Sequence, residues 1–439
     1  MLLSVMLLAA SSAPARAEIA STELLGDQAN LMSGAVIAST RGGASIWYNP
    51  SRLSFGSGER FTFAVSGVGF AYRYYNVPNL VATSSGSSPG TSSEMLVLPR
   101  ATTLVVRWSD RLYWGVGLFT PARQDVAVQA GSSEPGAPAT SFNAVALHVR
   151  RNILHTMASL SWKVNERLLL GAGLANVNYS YLHSSQISSA RYDPNTGSAM
   201  AVFTEASQQN NYGYGMRVTL GMSLQLSEHW VLAASVAAPT WLFYTNVSEV
   251  VSRTTGQVDS DALTFSGKVQ EKKGGAWDAP EPGVGRLGLA YTSPRVVVEL
   301  DADISGGAKS SDFNIDAPVV GNVHAGALIG LMGKVRLGFG VYTDFESRNK
   351  QLSELGDSRT RGVGATCGLN FVSRLPGSVA KAGDPTGTYS ITVATRYMHY
   401  RGEVLSLDVS DAMADQVALT PTDGVVHEVA AQVGLNAAW

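Results

Sequence analysis

The stretch MRVTLGMSLQL, residues 216–226, alternates between apolar and polar side chains from one end to the other. Successive side chains of a β-strand point to opposite sides of the sheet, so the stretch predicts a strand with one apolar and one polar face. In a soluble sandwich the apolar face would meet a second sheet, whereas in a membrane barrel it would meet lipid. The apolar face comprises Met216, Val218, Leu220, Met222, Leu224 and Leu226, and the polar face comprises Arg217, Thr219, Gly221, Ser223 and Gln225.

The same alternation recurs along the chain, for example in VVVELDADI (296–304), KVRLGFGVY (334–342) and GATCGLNF (364–371). In LLLGAGLANVNYSY (168–181) the phase breaks near Leu174, which predicts a β-bulge. Fourteen segments show such a pattern, near residues 60–72, 98–109, 111–120, 152–164, 167–182, 212–227, 229–245, 283–292, 295–304, 322–332, 334–344, 361–373, 387–400 and 427–439.

The links between these segments alternate in length. Short links at 109–110, 165–166, 227–228, 293–294 and 333 are separated by long polar stretches, although LPGSVAKAGDPTG (375–387) is a long link where a short one is expected. Short periplasmic turns and long extracellular loops are typical of outer-membrane barrels, and an even number of antiparallel strands leaves no free edge in lipid. We therefore predict an all-β fold, a transmembrane antiparallel β-barrel of about fourteen strands.

Aromatic residues support this topology, because barrels carry a ring of them at each membrane interface. The inner rim should hold Trp108, Trp114, Trp162, Trp230, Phe371 and Trp439. The outer rim should hold Tyr72, Tyr179, Tyr181, Tyr212, Trp241, Tyr244, Tyr342 and Tyr397.

Composition and the N-terminus agree with an exported barrel. The 439 residues carry a net charge of -2, which predicts no nucleic-acid partner, and the single cysteine permits no intramolecular disulfide. The start, MLLSVMLLAASSAPARA, reads as a signal peptide over residues 1–17, although the usual basic residue near Met1 is missing. Either the chain starts upstream or the signal is atypical; in both cases we expect an integral protein of a Gram-negative outer membrane.

Motifs for catalysis, metals or cofactors are not found in the sequence, and we expect a protein that is not an enzyme and uses no cofactor. The seven histidines form no HExxH motif, and no GxSxG elbow or Gly-rich phosphate loop is present. The acidic run Glu299, Asp301 and Asp303 has the period of a lumen face and lacks the glycine-bearing loop of a calcium site.

Several basic side chains take the lumen phase of their strands: Arg107, His155, Lys163, Arg217, Arg286, Arg336 and Arg396. One interpretation is charge pairing with lumen acids and with the plug. The other is that Arg217, Arg336 and Arg396 hold a ligand carboxylate. The pattern leaves both open.

Residues 18–59 precede the first predicted strand and are small, glycine-rich and partly apolar. They are too short for a domain with its own core, and irregular chain cannot face lipid. A lumen enclosed by fourteen strands is wide enough to hold them as a plug.

A resemblance to a known family rests on GAVIASTRGGASIWYNPSRLSF, residues 34–55. It resembles the N-terminal hatch of the FadL-type outer-membrane transport proteins, in which aromatics precede an Asn-Pro-Ala motif. The matching residues here are Trp47, Tyr48, Asn49 and Pro50, with Ser51 in place of Ala. LYWGVGLFTP (112–121), ERLLLGAGL (166–174), RLGLAY (286–291) and KVRLGFGVYTD (334–344) are similar to strands of the same family.

The resemblance implies a hatch over residues 18–59, a barrel over 60–439, and a kink in the third strand that opens a lateral hole near Gly115, Gly117 and Phe119. It implies passive transport of long-chain fatty acids or other hydrophobic small molecules. Outer-membrane lipid is the other partner, together with the barrel assembly machinery, which would recognise the C-terminal Trp439. The alternatives are a structural, adhesive or porin-like barrel without a specific ligand, or an outer-membrane lipase, for which no nucleophile–base pair is evident.

Overall fold

The computed structural model describes residues 24–55, 60–83, 86–97, 100–134, 140–192, 199–257, 263–274, 280–310, 315–345, 358–374, 387–408 and 418–439. The expected signal peptide and the long link after the twelfth predicted strand lie outside these ranges. So does the beginning of the expected hatch, up to residue 23.

Nineteen β-strands dominate the described chain. They are β1 (Phe61–Thr83), β2 (Gly86–Val97), β3 (Ala101–Arg107), β4 (Leu112–Glu134), β5 (Thr140–Lys163), β6 (Leu168–Tyr192), β7 (Ala199–Gln225), β8 (Trp230–Ala237), β9 (Trp241–Gln257), β10 (Leu263–Gly274), β11 (Val284–Thr292), β12 (Val296–Ser305), β13 (Ala308–Ser310), β14 (Ile315–Ala317), β15 (Val320–Met332), β16 (Val335–Asp344), β17 (Ser358–Arg374), β18 (Thr388–Asp408) and β19 (Ala418–Ala438). The short helices α1 (Asp27–Leu31) and α2 (Ser45–Tyr48) and the 3₁₀ turns Gly42–Ala44 and Pro50–Phe55 precede β1.

Seventeen of the strands form one sheet, which closes where β1 pairs antiparallel with β19 from Thr62↔Ala438 onward. Three positions in the wall are each filled by two strands in succession, β3 with β2, β8 with β9, and β11 with β10. The wall therefore has fourteen positions, and the predicted antiparallel barrel is confirmed. Strands β13 and β14 form a separate hairpin between β12 and β15.

The stretch 216–226 forms the end of β7 and the residue after it, and its apolar face points outward, unlike that of a strand in a soluble protein. Leu220 is 56% exposed on the outer surface, whereas its polar neighbour Thr219 is 2% exposed inside the barrel. The strand β12 repeats this arrangement, with Leu300 outside and Glu299 and Asp301 buried inside. A belt of apolar side chains on the outside is stable only against lipid, so this barrel spans a membrane.

The short turns lie where the alternation predicts them, but several strands continue far beyond the predicted segments on the opposite side. β1 extends to Thr83 and β4 to Glu134, and much of the polar stretch 246–274 forms the paired strands β9 and β10. Strands that rise above the bilayer meet water on their outer face, so no apolar alternation marks them. The apolar–polar alternation therefore indicates only the membrane-embedded part of each strand and not its full length.

Two expectations based on phase are wrong. β6 pairs with β5 and β7 in unbroken register through Leu174, so the predicted bulge is absent there. Tyr179 and Tyr181, expected at the outer rim, are buried inside the barrel, as is Tyr342. β6 keeps its phase throughout. Its inward face changes from small residues to apolar and aromatic ones, and this change in residue type was interpreted as a break in phase.

Helices contribute little to the described part of the chain. Among those residues no helix is long and apolar enough to cross a membrane.

Candidate functional site

Residues 24–55, here called the lumenal segment, lie inside the barrel and form much of its core. Their apolar side chains are almost completely buried, with Leu25, Met32, Val36 and Ile46 each 0% exposed. The segment contacts the inward faces of strands on every side of the lumen, including β3–β7 and β15–β19. Its burial is provided by the barrel wall, because so short a segment has no core of its own.

The turn Asn49–Pro50–Ser51 docks on neutral side chains of β5–β8. Asn49 Nδ2 donates to Ile37 O at 3.1 Å, and Asn49 Oδ1 accepts from Ser51 Oγ at 2.8 Å. Ser223 Oγ lies 2.8 Å from Ser51 Oγ, and Ser161 Oγ donates to Ser51 O at 2.7 Å. The Asn side chain therefore closes the turn internally while the wall hydroxyls bind its outside.

Two wall glycines give this turn its space. A Cβ atom at Gly171 of β6 would overlap the backbone N of Ser51, and one at Gly221 of β7 would overlap Asn49 Oδ1. A side chain at either position would push the turn away from the wall, because backbone atoms cannot rotate aside. Gly338 of β16 has the same role across the lumen, where its Cβ would lie 2.5 Å from Leu31 Cβ.

A second, charged dock lies on β12. Asp301 Oδ2 accepts from the backbone N of Val36 at 2.6 Å and of Ile37 at 3.0 Å. Glu299 accepts from Ala38 N at 2.5 Å and Ser39 N at 2.9 Å. On the neighbouring β15, His324 Nδ1 lies 2.8 Å from Ser33 O, and its Nε2 lies 3.2 Å from Asp303. The acidic run found in the sequence therefore binds backbone amides of the lumenal segment.

The aromatic pair of the motif faces two different surroundings. Trp47 packs against Phe119 of β4 at a ring distance of 5.6 Å and edge-on against His155 of β5 at 5.0 Å. Tyr48 accepts a hydrogen bond at its hydroxyl from Leu25 N at 3.1 Å, and its carbonyl accepts one from Ser235 Oγ at 2.7 Å. Burial raises the pKa of Tyr48 to about 12, so its hydroxyl stays protonated at neutral pH.

A cavity of about 220 Å³ lies between the lumenal segment and the wall. Both aromatics of the motif border it, and the β13–β14 hairpin covers part of it through Ile315 and Ala317. Its apolar lining comprises Leu24, Ile37, Trp47, Pro121, Ile153, Pro280, Pro282, Val284, Ile315, Ala317, Pro318, Val320 and Phe345. The charged lining comprises Arg151, Arg217, Glu281, Arg286, Asp301, Asp303, His324 and Asp344.

Glu281 projects into this region from the link between β10 and β11 and contacts β5, β7 and the link between β8 and β9. Its carboxylate lies 3.2 Å from His155 Nε2 and 4.0 Å from Arg217 Nη1, and it accepts from Thr240 Oγ1 at 2.6 Å. Burial alone would raise the pKa of Glu281, but His155, Arg217 and the Thr240 hydrogen bond together hold it below the usual 4.5. Glu281 is therefore an ionised structural anchor on the cavity wall.

The predicted ligand-carboxylate contacts are not brought together. Arg217 borders the cavity but faces Glu281, and Arg396 forms an ion pair with Glu428, which also binds Arg73. Arg336 is exposed at the short-turn end of the barrel. None of the three therefore presents an uncommitted guanidinium to the cavity.

Arg286 of β11 is the lining cation that the sequence placed in the lumen without assigning it a ligand. Its nearest charges are Asp301 and Asp303, yet within the described ranges it forms no hydrogen bond or ion pair. The sequence RLGLAY showed that Arg286 takes the lumen phase. It did not show that Arg217 faces Glu281 or that Arg396 pairs with Glu428. A half-buried guanidinium with open donors favours an acceptor oxygen from water or a ligand.

The third wall position, β4, combines regular and irregular parts. Gly115 and Gly117 lie in continuous register with β3 and β5, and a Cβ at Gly115 would lie 3.0 Å from Ile46 Cδ1. The register of β4 against β5 shifts immediately afterwards, between Phe119 and Ala122. Among the described residues, Thr91↔Gln129 is the single register pair that joins β2 to β4 above this level.

Strand β1 is irregular at the same height. Its register against β19 shifts between Val65 and Val68, where Gly67 adopts a φ of 70°. Ser66 O accepts from Arg100 N at 3.0 Å, and Arg100 O accepts from Thr120 N at 2.9 Å, which places the three irregularities at one level. Pro121, next to the shift in β4, borders the cavity. The register shift in β4 thus lies beside the cavity.

Within the described ranges no group of three or more His, Cys, Asp or Glu residues could hold a metal ion. The cavity joins a mostly apolar lining to eight charged side chains, so it offers a ligand both apolar surface and polar contacts.

Comparisons with known proteins bear on the fold. No protein-family model and no curated protein matches the sequence. A solved FadL homologue of Pseudomonas aeruginosa aligns with a TM-score of 0.63 and 12% identity over 96% of this chain and 99% of that one. The Pseudomonas putida toluene transporter TodX aligns at 0.57 and 16% over 95% and 99%. The Ralstonia pickettii toluene transporter TbuX aligns at 0.53 and 13% over the same shares. The fold of this chain is therefore that of the FadL-type outer-membrane channels.

Proposed function

We propose that this protein is an outer-membrane channel through which long-chain fatty acids or other hydrophobic small molecules enter a Gram-negative cell by diffusion. The observation that carries the proposal is the cavity between the lumenal segment and the wall, whose lining is mostly apolar. A site of this kind gives an apolar molecule roughly 0.8 kcal/mol per buried CH2 group, with no other energy source required. The solved structures of the same fold include proteins described as toluene transporters.

The lumenal segment would act as the hatch of this channel. It fills the lumen beneath the cavity, so a ligand that reaches the cavity has no direct aqueous path to the periplasm. The sparse pairing of β2 with β4 and the register shift beside Pro121 favour a sideways path through the wall. The ligand would thus leave into the bilayer near the third wall strand. Gly115 and Gly117 serve in this proposal to seat the hatch, and Phe119 to bound the path.

Arg286 would bind the polar end of an amphiphilic ligand. It replaces Arg336 and Arg396 in this role, because the first lies away from the cavity and the second is paired with Glu428. Arg217 would contribute at most through the pair that it shares with Glu281.

The C-terminal strand would serve assembly. Trp439 lies beside Phe61 at a ring distance of 4.7 Å, and Phe61 N donates to Trp439 O at 2.9 Å where the barrel closes. We propose that the alternating strand ending in Trp439 is recognised by the barrel assembly machinery and that the outer apolar belt contacts outer-membrane lipid.

A disulfide between the hatch and β4 tests the transport route. The Ile46 Cγ1 atom lies 3.2 Å from the Cβ position of Gly115, close to the Sγ–Cβ separation across a disulfide. We expect cells carrying Ile46→Cys with Gly115→Cys, in a Cys367→Ser background, to take up radiolabelled fatty acid when reduced and to stop when oxidised. The single-cysteine variants should be insensitive to oxidation.

Equal uptake by the oxidised and reduced forms, with the cross-link verified, would overturn the proposed route. Single-channel recording of the unmodified protein separates the proposal from a porin-like barrel. Large, steady conductance steps would favour a porin, whereas a plugged lumen conducts poorly.

A further inference from the structure

The contact between the lumenal segment and β12 has an unusual composition. Four consecutive backbone N–H groups, from Val36 to Ser39, all donate to two carboxylates, those of Glu299 and Asp301. Both carboxylates are nearly inaccessible, at 1% and 2% exposure. Because residues 299 and 301 are two apart on one strand, both point into the lumen. Consecutive N–H groups that converge in a turn form a concave anion-binding surface.

Two basic groups lie near this contact. Arg286 on β11 and Arg52 in the lumenal segment are electrostatic neighbours of Asp301 and Glu299, respectively. The backbone N–H groups of residues 36–39 donate directly to the two carboxyl groups. A buried carboxyl group that loses such partners is costly, so the segment is held firmly while these hydrogen bonds remain.

The position of the contact gives it a role. Gly34 and Ile37 from the segment and Asp301 from the wall border the cavity. The turn 36–39 therefore forms part of the cavity floor, between the cavity and the short-turn end of the lumen. A Cβ at Gly288 of β11 would lie 2.9 Å from Ile37 Cβ and would overlap Asp301 Oδ1, so the wall is shaped to admit this turn.

We propose that Glu299 and Asp301 form a carboxylate clamp that keeps residues 36–39 seated and the lumen closed to water and ions beneath the cavity. Release of the clamp opens a path along β12 to the periplasm while the Asn49–Ser51 turn stays docked on β5–β8. The inference concerns closure of the lumen and holds whatever ligand the cavity takes.

The two acids use their oxygens differently, which gives a graded test. Glu299 accepts from the segment with both oxygens, one for each amide, whereas Asp301 accepts both of its bonds from the segment with Oδ2 alone. A glutamine at 299 offers one acceptor oxygen and turns an NH2 group toward a donor. An asparagine at 301 can keep its single oxygen in place. Glu299→Gln should therefore loosen the clamp more than Asp301→Asn.

The experiment records ion conductance of the full-length purified protein in planar lipid bilayers. We expect low conductance for the unmodified protein and for Asp301→Asn. Glu299→Gln should show openings with a frequency raised about tenfold, which corresponds to the loss of one charge-assisted hydrogen bond. The double variant Glu299→Ala with Asp301→Ala should be open most of the time. The matched control is Glu428→Gln, which removes a buried lumen carboxylate that binds Arg73 and Arg396 instead of the segment.

A second measurement keeps the test decisive if the double alanine variant does not fold. Ser39→Cys, in a Cys367→Ser background, reports seating of the turn through its reaction rate with a water-soluble maleimide. Glu299→Gln should raise that rate about tenfold or more. Unchanged conductance and labelling in a folded Glu299→Gln protein would overturn the clamp. So would large steady currents through the unmodified protein, or a Glu428→Gln variant that opens equally.

Discussion

The lumenal segment is held at two docks of opposite character. The turn Asn49–Ser51 meets neutral hydroxyls and bare glycine backbone on β5–β8, so its fit depends on shape. The turn 36–39 meets two buried carboxylates on β12, so its fit depends on charge. A dock that depends on shape weakens only when a substitution makes atoms overlap or leaves a void. A charge-based dock weakens whenever the carboxylates gain protons or the amides find other acceptors.

This difference suggests a division of labour. The neutral dock would anchor the segment permanently, and the charged dock would release it.

Gly171→Val should break the neutral dock most severely. The new side chain would collide with the Ser51 backbone N, which cannot move without undocking the turn. We expect a loss of about 3 kcal/mol in stability, typical of severe overpacking. The measurement is thermal unfolding in detergent, followed by loss of the folded band on unheated gels. Gly285→Val is the matched control, because a Cβ there meets nothing within 4 Å; a similar loss in both variants would contradict the shape-based dock.

Asn49→Ala should cost about 2 kcal/mol, since it removes donors and acceptors at a fully buried position. Asn49→Asp separates the two contacts, because it retains the acceptor for Ser51 but loses the donor to Ile37 O. If closure of the turn by the acceptor dominates, chemical denaturation should give Asn49→Ala a lower free energy of unfolding than Asn49→Asp. The reverse order would assign the greater role to the Ile37 contact.

The pH dependence of stability should contain a contribution from Asp27 in α1. Burial raises the pKa of Asp27 from 3.8 to about 7, against a smaller lowering effect of the Thr392 hydrogen bond. The neutral acid is the form that fits the folded state. Its contribution is therefore complete below 3.8 and is lost as the pH rises to about 7.

Asp27→Asn should remove this dependence. The melting temperature of the unmodified protein should fall relative to the variant between about pH 4 and about pH 7. A constant difference over that range would show that Asp27 titrates at its ordinary value.

The smallest change is expected from Ser235→Ala. Ser235 Oγ donates to the Tyr48 carbonyl at 2.7 Å, one of several contacts of the neutral dock. We expect a loss of about 1 kcal/mol in the free energy of unfolding, with ion conductance unchanged. Increased conductance would show that the neutral dock also contributes to closure.

Most of the barrel could be predicted from the sequence. The fourteen wall positions, the short turns and the lipid-facing residues follow from alternation with period two, which lipid outside and a polar interior impose on every embedded strand. The extension of β1, β4, β9 and β10 above the membrane could not be predicted in this way, because water on both sides leaves no apolar face. The inward turn of Tyr179 and Tyr181 was missed because aromatic character was interpreted as a membrane-interface signal.

The site was predicted only in part. The motif 47–51 and the lumen phase of Arg217, Arg286, Glu299 and Asp301 were visible in the sequence. Alternation assigned each of these residues to a face of its own strand. It contained no information on the partner, because Glu299 and residues 38–39 are about 260 positions apart.

Alternation along the chain thus specifies a barrel, the side of each strand that faces lipid, and a small N-terminal segment that is left to fill the lumen. It does not specify that Arg396 is paired, that Arg286 borders the cavity, or that two acids hold the lumenal segment. A strand's faces follow from its own residues and the solvent around them. Contacts across a lumen depend instead on the register of strands remote in sequence and on how the enclosed segment packs among them.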